Sequence, residues 1–429
     1  MEYCSYTLTD KVGEGTFGYV WKAIDNLSAD GSEIVTIKEM KKLYSSLEEC
    51  LELPEVKALV KLYGDPNIVG LRKLIFDNQV LYLVFDYEES TLYRLMHDKI
   101  NLCTDAELLN GLLENRIGLF SESQIRRWSR QILLALAQMH RPGGYMHRDL
   151  KPDNLLVARD GDSIKIADFG QAREIDSKSP CSDYVTTRMY RAPEVLLNSV
   201  SYTSAVDMWA VGAIMAELYS FRPLFPGKNR ADQLYKICSV IGSPTYESWA
   251  EGIQLANWCG YKFPQVHPYG ISTMIPSASH EAIDRIKSLC SWDPKNRPTA
   301  MEALKHPYFA PDMRELPEAT TNAKLEQRIY PNQTCFGEKL LGPFSPVRDI
   351  TIEDMLKRVW AEDTSAKFAQ RIYPNQTCFG VELFGPFSPV GNMTSQDLFE
   401  SVWGCSLDAS FREITHQEKQ TVAAAAHAF

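Results

Sequence analysis

The most constraining feature of this chain is the ordered succession of short motifs between residues 13 and 194, which begins with a glycine-rich run. Gly13-Glu14-Gly15-Thr16-Phe17-Gly18 is followed by Val20. Glycine there lets backbone amides approach phosphate oxygens without a Cβ in the way. A dinucleotide-binding fold would need a helix directly after such a run and an acidic residue ~20 positions on. Here residues 6–23 alternate as strands do around the glycine turn. Residues 34–37 and 80–85 read as further strands. Beyond residue 90 the period becomes helical. Residues 123–140 place Ile125, Trp128, Ile132, Leu136 and Met139 on one stripe, and Ser121 and Gln124 have capping-box spacing at its start. Residues 206–218 are apolar nearly all round, which predicts a buried helix. A small β-rich lobe followed by a larger helical lobe is implied.

Val35-Thr36-Ile37-Lys38 puts a lysine at a strand end, 20 residues after Gly18, and Glu55 lies 17 residues later in the helix-compatible run Glu55-Val56-Lys57-Ala58-Leu59. His147-Arg148-Asp149-Leu150-Lys151-Pro152-Asp153-Asn154 follows, then Asp168-Phe169-Gly170 and Ala192-Pro193-Glu194. Any one of these charges is more often a solvated surface group. Their joint order and spacing resemble the eukaryotic protein kinase signature set. The resemblance runs from about residue 5 to 309 and takes in Asp207-Met208-Trp209 and Arg297-Pro298-Thr299. It implies an α+β, bilobal kinase fold, with an N-lobe over 1–86, a C-lobe over 87–309 and a tail over 310–429. It also implies a structural pair of Glu194 with Arg297.

The resemblance implies a serine/threonine protein kinase using ATP and Mg2+. Phosphoryl transfer is mostly positioning plus charge neutralisation. Lys38 is expected on the α- and β-phosphates, with Glu55 orienting it. Asn154 and Asp168 are expected to hold magnesium through hard oxygen donors. Asp149 is expected to accept or orient the substrate hydroxyl proton, and Lys151 to sit by the transferred group. The implied nucleotide site comprises Val12, Gly13, Glu14, Gly15, Thr16, Phe17, Gly18, Val20, Thr36, Lys38, Phe85, Asp86, Glu88 and Leu156.

Tyr190-Arg191-Ala192-Pro193-Glu194 and Arg222-Pro223-Leu224-Phe225-Pro226-Gly227 resemble the branch with the cyclin-dependent and MAP kinases, the CMGC group. Met40-Lys41-Lys42, Phe85-Asp86-Tyr87, Ala172-Arg173-Glu174-Ile175 and Ile275-Pro276-Ser277 resemble the male-germ-cell-associated and ciliogenesis-associated kinases within it. That family implies a preference for proline after the phosphoacceptor, protein substrates, an upstream activating kinase, and a role in cilium or flagellum length or signalling. Ser182-Asp183-Tyr184 stands where the family has Thr-Asp-Tyr, so Ser182 and Tyr184 read as activating phosphosites, with Arg148, Arg188 and Arg191 as clamps. A pseudokinase scaffold and a MAP-kinase-like enzyme without a ciliary role are the alternatives.

Five departures from the family pattern bear on function, one of them Met189 in place of a tryptophan. Pro54 replaces an arginine before the helix glutamate, and suits only the first turn of a helix or a kink in a longer one. Thr36 replaces the alanine over adenine, and its hydroxyl and bulk are expected to weaken nucleotide binding modestly. Gln171 replaces an apolar residue after the metal motif. About 16 extra residues lie near 101–115.

The formal charge of −10 argues against a nucleic-acid partner recognised by a broad basic surface. Ten cysteines without any CxxC pair read as reduced thiols, mostly buried, in a cytosolic or nuclear protein. The N-terminus has no basic and apolar signal pattern, and no apolar stretch reaches the ~20 residues of a membrane span, so no membrane insertion is expected. Cytoplasm is the expected location, with cilium, flagellum and nucleus as alternatives.

After a boundary near 309–312 the tail carries a duplication. Residues 328–347 and 371–390 match at 17 of 20 positions with an offset of 43, and the repeat extends over about 323–360 and 366–403. Thr351 and Thr394 each precede an aspartate by three positions, Asp354 and Asp397, as in a capping box. Met355, Leu356, Val359 and Trp360, matched by Leu398, Phe399, Val402 and Trp403, form a helical stripe in each copy. One reading is two small helices covering apolar surface, on each other or on the kinase. The other is a bivalent tail for a docking partner. Ser345-Pro346 and Ser388-Pro389 are candidate autophosphorylation sites.

Overall fold

The computed structural model describes residues 2–3, 6–29, 31–102, 119–141, 143–177, 187–310 and 348–356. The first lobe is an antiparallel sheet built from β1 (Glu2–Tyr3), β2 (Tyr6–Glu14), β3 (Gly18–Asp25), β4 (Glu33–Leu43), β5 (Leu71–Asp77), β6 (Val80–Asp86) and β7 (Arg348–Thr351). The strand order is β1-β2-β3-β4-β6-β5-β7. The predicted strands at 6–23, 34–37 and 80–85 are all present, while β5 goes beyond the sequence reading. The turn between β2 and β3 requires glycine at one point: a Cβ on Gly18 would fall 2.3 Å from the Glu39 carbonyl oxygen.

Two short helices, α1 (Leu47–Leu51) and α2 (Pro54–Lys61), bridge β4 and β5. Pro54 occupies the first turn of α2, so it starts a helix rather than kinking one. Proline lacks only an N–H that has no intrahelical acceptor at that position. Val56, Ala58 and Leu59 bury the inner face of α2.

The second lobe is helical. It includes α3 (Leu92–Asn101), α4 (Glu122–Met139) and α5 (Ala205–Ser220). Ser121 caps α4, its hydroxyl accepting from the Gln124 N–H at 3.2 Å, and the predicted stripe from Ile125 to Met139 is buried. Every residue of α5 from Val206 to Ser220 is buried, as the all-round apolar composition predicts. Among the described cysteines, Cys50, Cys238 and Cys290 are buried and Cys259 is exposed. Most of the inserted stretch near 101–115 lies outside the described residues.

The strand β7 belongs to the first tail repeat. It pairs antiparallel with β5, Arg348 opposite Phe76, Ile350 opposite Leu74 and Thr351 opposite Lys73. A helical turn follows from Ile352. Thr351 caps it, accepting from the Asp354 N–H at 3.2 Å and donating to Asp354 Oδ2 at 2.8 Å. Ile350, Ile352 and Met355 are buried in the core that also holds Leu74 and Leu83. The first helical stripe therefore starts on the kinase sheet. The second copy lies outside the described residues.

Candidate active site

The register of the sheet places the cleft side chains. Val20, Lys38, Leu83, Leu74 and Ile350 follow one another across five strands. Directly opposite residues share a face of a sheet. Thr36, two positions before Lys38, lies on that same face opposite Phe85.

Lys38 Nζ donates to Glu55 Oε1 at 2.6 Å and to Asp168 Oδ1 at 2.9 Å. Glu55 stands in the first turn of α2, directly after Pro54. Burial alone would lower the Lys38 pKa, but the charges of Glu55 and Asp168 and their hydrogen bonds outweigh it and push it up. Burial likewise opposes ionisation of Asp168, and the Lys38 charge and hydrogen bond outweigh it and hold its carboxyl below the usual range. Lys38 is thus a fixed cation beside a fixed anion.

Asp168 has φ +59°, in the left-handed region. Phe169 anchors it: its ring is buried and meets the His147 ring edge-on at 5.2 Å. His147 Nε2 donates to the Ala167 carbonyl at 3.0 Å. Arg148, also left-handed at φ +72°, is held by Asp207. The Asp207 carboxylate accepts from the His147 and Arg148 backbone N–H groups, each at 2.8 Å, and from His140 Nε2 at 2.9 Å. Burial would raise the Asp207 pKa, but the His140 bond and charge keep it low. Sequence reasoning quoted Asp207 without giving it this role. Asp207 is one of two acids, with Glu217, in a helix that is otherwise mostly apolar, and its position alone does not assign it this role.

Asp149 follows on this clamped turn. Its Oδ2 accepts from Lys151 Nζ at 2.7 Å and from Asn154 Nδ2 at 3.2 Å, and its carbonyl accepts from the same Asn154 nitrogen at 2.8 Å. Both side-chain bonds fall on Oδ2, not on Oδ1. With its amide nitrogen spent on Asp149, Asn154 presents its Oδ1 as an oxygen donor. Asp168 supplies the second. Two hard oxygen donors on facing motifs suit a divalent cation that completes its shell with phosphate oxygens and water. No cluster of three His, Cys, Asp or Glu side chains suited to a metal exists among the described residues.

Over this floor lies the β2–β3 flap. The Gly15 N–H donates to the Gly18 carbonyl at 2.9 Å, and Lys41 Nζ donates to Gly15 O and Glu14 Oε1, both at 2.9 Å. A Cβ on Gly170 would come within 3.0 Å of the Phe17 ring and 3.3 Å of Asp168 Oδ1, so the flap and the Asp168 turn meet at a residue without a side chain. Asp86 and Glu88 are engaged elsewhere, Asp86 with Arg72 Nε at 2.7 Å and Glu88 with Lys165 Nζ at 2.6 Å. Val12 is exposed at the flap's entry and Leu156 is half-buried.

Of the three arginines read as phosphate clamps, Arg148 and Arg191 line one small cavity with Tyr190 and Tyr202. Arg188 instead donates to the Lys228 carbonyl at 3.3 Å. Ser182 and Tyr184 lie outside the described residues. Gln171 is buried in the turn after Gly170. Glu194 and Arg297 form the expected pair, at 2.7 and 2.8 Å.

Comparison with known proteins agrees with this geometry. The protein kinase domain family matches residues 6–309. The chain belongs to the protein kinase family. Over 304 residues, 71% of this chain, it is 49% identical to cyclin-dependent kinase F-4 of Oryza sativa subsp. japonica, covering 61% of that protein. It is 48% identical over the same length to the serine/threonine-protein kinase MAK of Mus musculus and 46% identical to the mouse serine/threonine-protein kinase ICK, covering 45% of each. Within the family it is a CMGC kinase of the MAK/ICK kind. The match spans about half to two thirds of these relatives' own length. No helix among the described residues is long and apolar enough to cross a membrane.

Proposed function

We propose that the chain is a serine/threonine protein kinase that transfers the γ-phosphoryl group of ATP to a serine or threonine hydroxyl, with proline following the acceptor. The observation that carries this is the assembled Lys38–Glu55–Asp168 network beside Asp149, Lys151 and Asn154. A scaffold has no need to keep a buried lysine charged and paired with two acids from distant parts of the chain.

In this reading the flap amides and Lys38 hold the triphosphate, and Glu55 fixes the direction of Lys38. Asn154 and Asp168 would hold Mg2+, which when bound neutralises phosphate charge and orients the γ-phosphoryl group. Asp149 Oδ1 receives the proton of the attacking hydroxyl. As the new O–P bond forms, the bond from the γ-phosphorus to the bridging oxygen breaks, and ADP leaves with that electron pair. Lys151 offsets the charge on the transferred group. Its bond to Asp149 keeps it beside the acceptor, and a lysine there accompanies serine/threonine specificity in this family. Activation by phosphorylation of Ser182 and Tyr184, with Arg148 and Arg191 as clamps, belongs to the same proposal. So does a ciliary role, supported by the resemblance to MAK and ICK. Exclusion of tagged protein from cilia in ciliated cells would contradict that role.

The test is phosphate transfer from labelled ATP to a Ser-Pro peptide, with Asp168→Ala as control. Incorporation by the wild type and a loss of ~100-fold or more in the variant is expected. Equal incorporation by both, or none by either once the activation loop is phosphorylated, would sink it in favour of a scaffold.

A further inference from the structure

The outer edge of β5 is covered by backbone pairing with β7 and by three buried side chains, Ile350, Ile352 and Met355, 6%, 5% and 2% exposed. An uncovered edge strand presents unpaired N–H and C=O groups to any segment of suitable pattern. What seats the segment 348–356 can be stated residue by residue. A short strand brings Ile350 opposite Leu74. Thr351 then stops the strand and caps the turn with Asp354. The turn delivers Met355 into the core. The pairing itself is main-chain and blind to side chains, so specificity rests on an apolar residue, Thr, a second apolar residue, one free position, Asp and a third apolar residue.

The chain contains that pattern a second time, short of one position. The offset of 43 carries Ile350 to Met393, Thr351 to Thr394, Asp354 to Asp397 and Met355 to Leu398. Only Ile352 loses its apolar counterpart, to Ser395. We propose that the β5 edge is a peptide-docking site and that the second repeat, residues 389–403, is a second ligand for it. The expected affinity order follows from the one changed contact. Losing one buried isoleucine side chain weakens binding about ten- to a hundredfold. Ile350 ends the cross-strand row that contains Lys38. Docking is a binding property and does not depend on phosphotransfer.

The experiment uses the full chain opened at both copies, Ile350→Asp with Met355→Asp and Met393→Asp with Leu398→Asp. Fluorescent peptides covering 346–360 and 389–403 are titrated against it by anisotropy. The first is expected to bind. The second is expected to bind about ten- to a hundredfold more weakly, to be displaced by unlabelled first peptide, and to lose binding when its Leu398 is changed to Asp. Should the fourfold variant melt below the wild type, Met355→Ala with Leu398→Ala opens the edge more mildly for the same titration. Binding of the first peptide without the second overturns the proposal. So does binding of the second without displacement, or no binding of either to a folded, opened chain.

Discussion

Two buried ionic clusters hold this kinase together, and they are built to opposite ends. In the C-lobe, Arg297 spends its whole donor fork. Nη1 and Nη2 meet the two Glu194 oxygens and the carbonyls of Ala205 and Trp292, and Nε meets the Ser291 carbonyl. Its side chain is fully buried and that of Glu194 is 4% exposed. In the cleft, Lys38 spends two N–H groups and keeps one, while the Asp168 side chain is 39% exposed. A saturated cluster fixes packing and has nothing left to offer a ligand. An unsaturated one, held by the same kind of charge pairing, keeps a donor and a carboxylate open to the cleft. The contrast separates structural charge from the charge proposed to act in catalysis better than burial does, since Lys38 and Arg297 are both buried.

The largest effect should come from breaking the saturated cluster. Arg297→Ala strands Glu194 without a partner, and losing one member of a buried pair costs about 3–5 kcal/mol. Denaturant unfolding should show that loss. A change under ~1 kcal/mol would mean that solvent reaches the pair. A second buried acid of the C-lobe sharpens the point through pH. Burial pushes the Glu217 carboxyl up to about 7, against the opposing effect of the Tyr190 hydroxyl that donates to it at 2.7 Å. Because the folded pKa is raised, the folded state binds more protons between about 4.5 and 7. Stability is then fully present below that window and declines as pH rises through it. Glu217→Gln keeps an acceptor for Tyr190 and should flatten the decline, gaining up to ~3 kcal/mol at pH 8 at ~1.4 kcal/mol per pKa unit. Parallel pH profiles of thermal melting for the two proteins would contradict the assignment.

The smallest effect lies in the open cluster's surroundings. Thr36 stands on the Lys38 face opposite Phe85. Thr36→Ala should tighten nucleotide binding a few-fold, within the ~1.5 kcal/mol of a modest packing change. Calorimetric titration with an ATP analogue checks this, and weaker binding by the variant would show that the hydroxyl helps.

Much of the candidate cleft was legible because Lys38, Asp149, Asn154 and Asp168 stand in the order and spacing of the kinase motifs, and the fold gathers them at one cleft. Glu55 was legible by spacing, while the role of Pro54 needed the helix start to be seen. The strand β5 escaped because Arg72 and Lys73 interrupt its apolar alternation, and its pairing with β6 shifts register between Leu71 and Lys73. Asp207 escaped because holding backbone N–H groups leaves no pattern in sequence. For the tail, the cap from Thr351 to Asp354 and the apolar stripe were readable. Their seat on β5 was not, since edge pairing is made by main chain.

The most direct test of the open-cluster account is calorimetric binding of ATP to the full chain with and without Mg2+, for the wild type and for Lys38→Met. The account predicts magnesium-dependent binding by the wild type and a loss of about tenfold or more in a variant that still unfolds cooperatively. Binding by the wild type that ignores magnesium, or equal affinity in the variant, would contradict it.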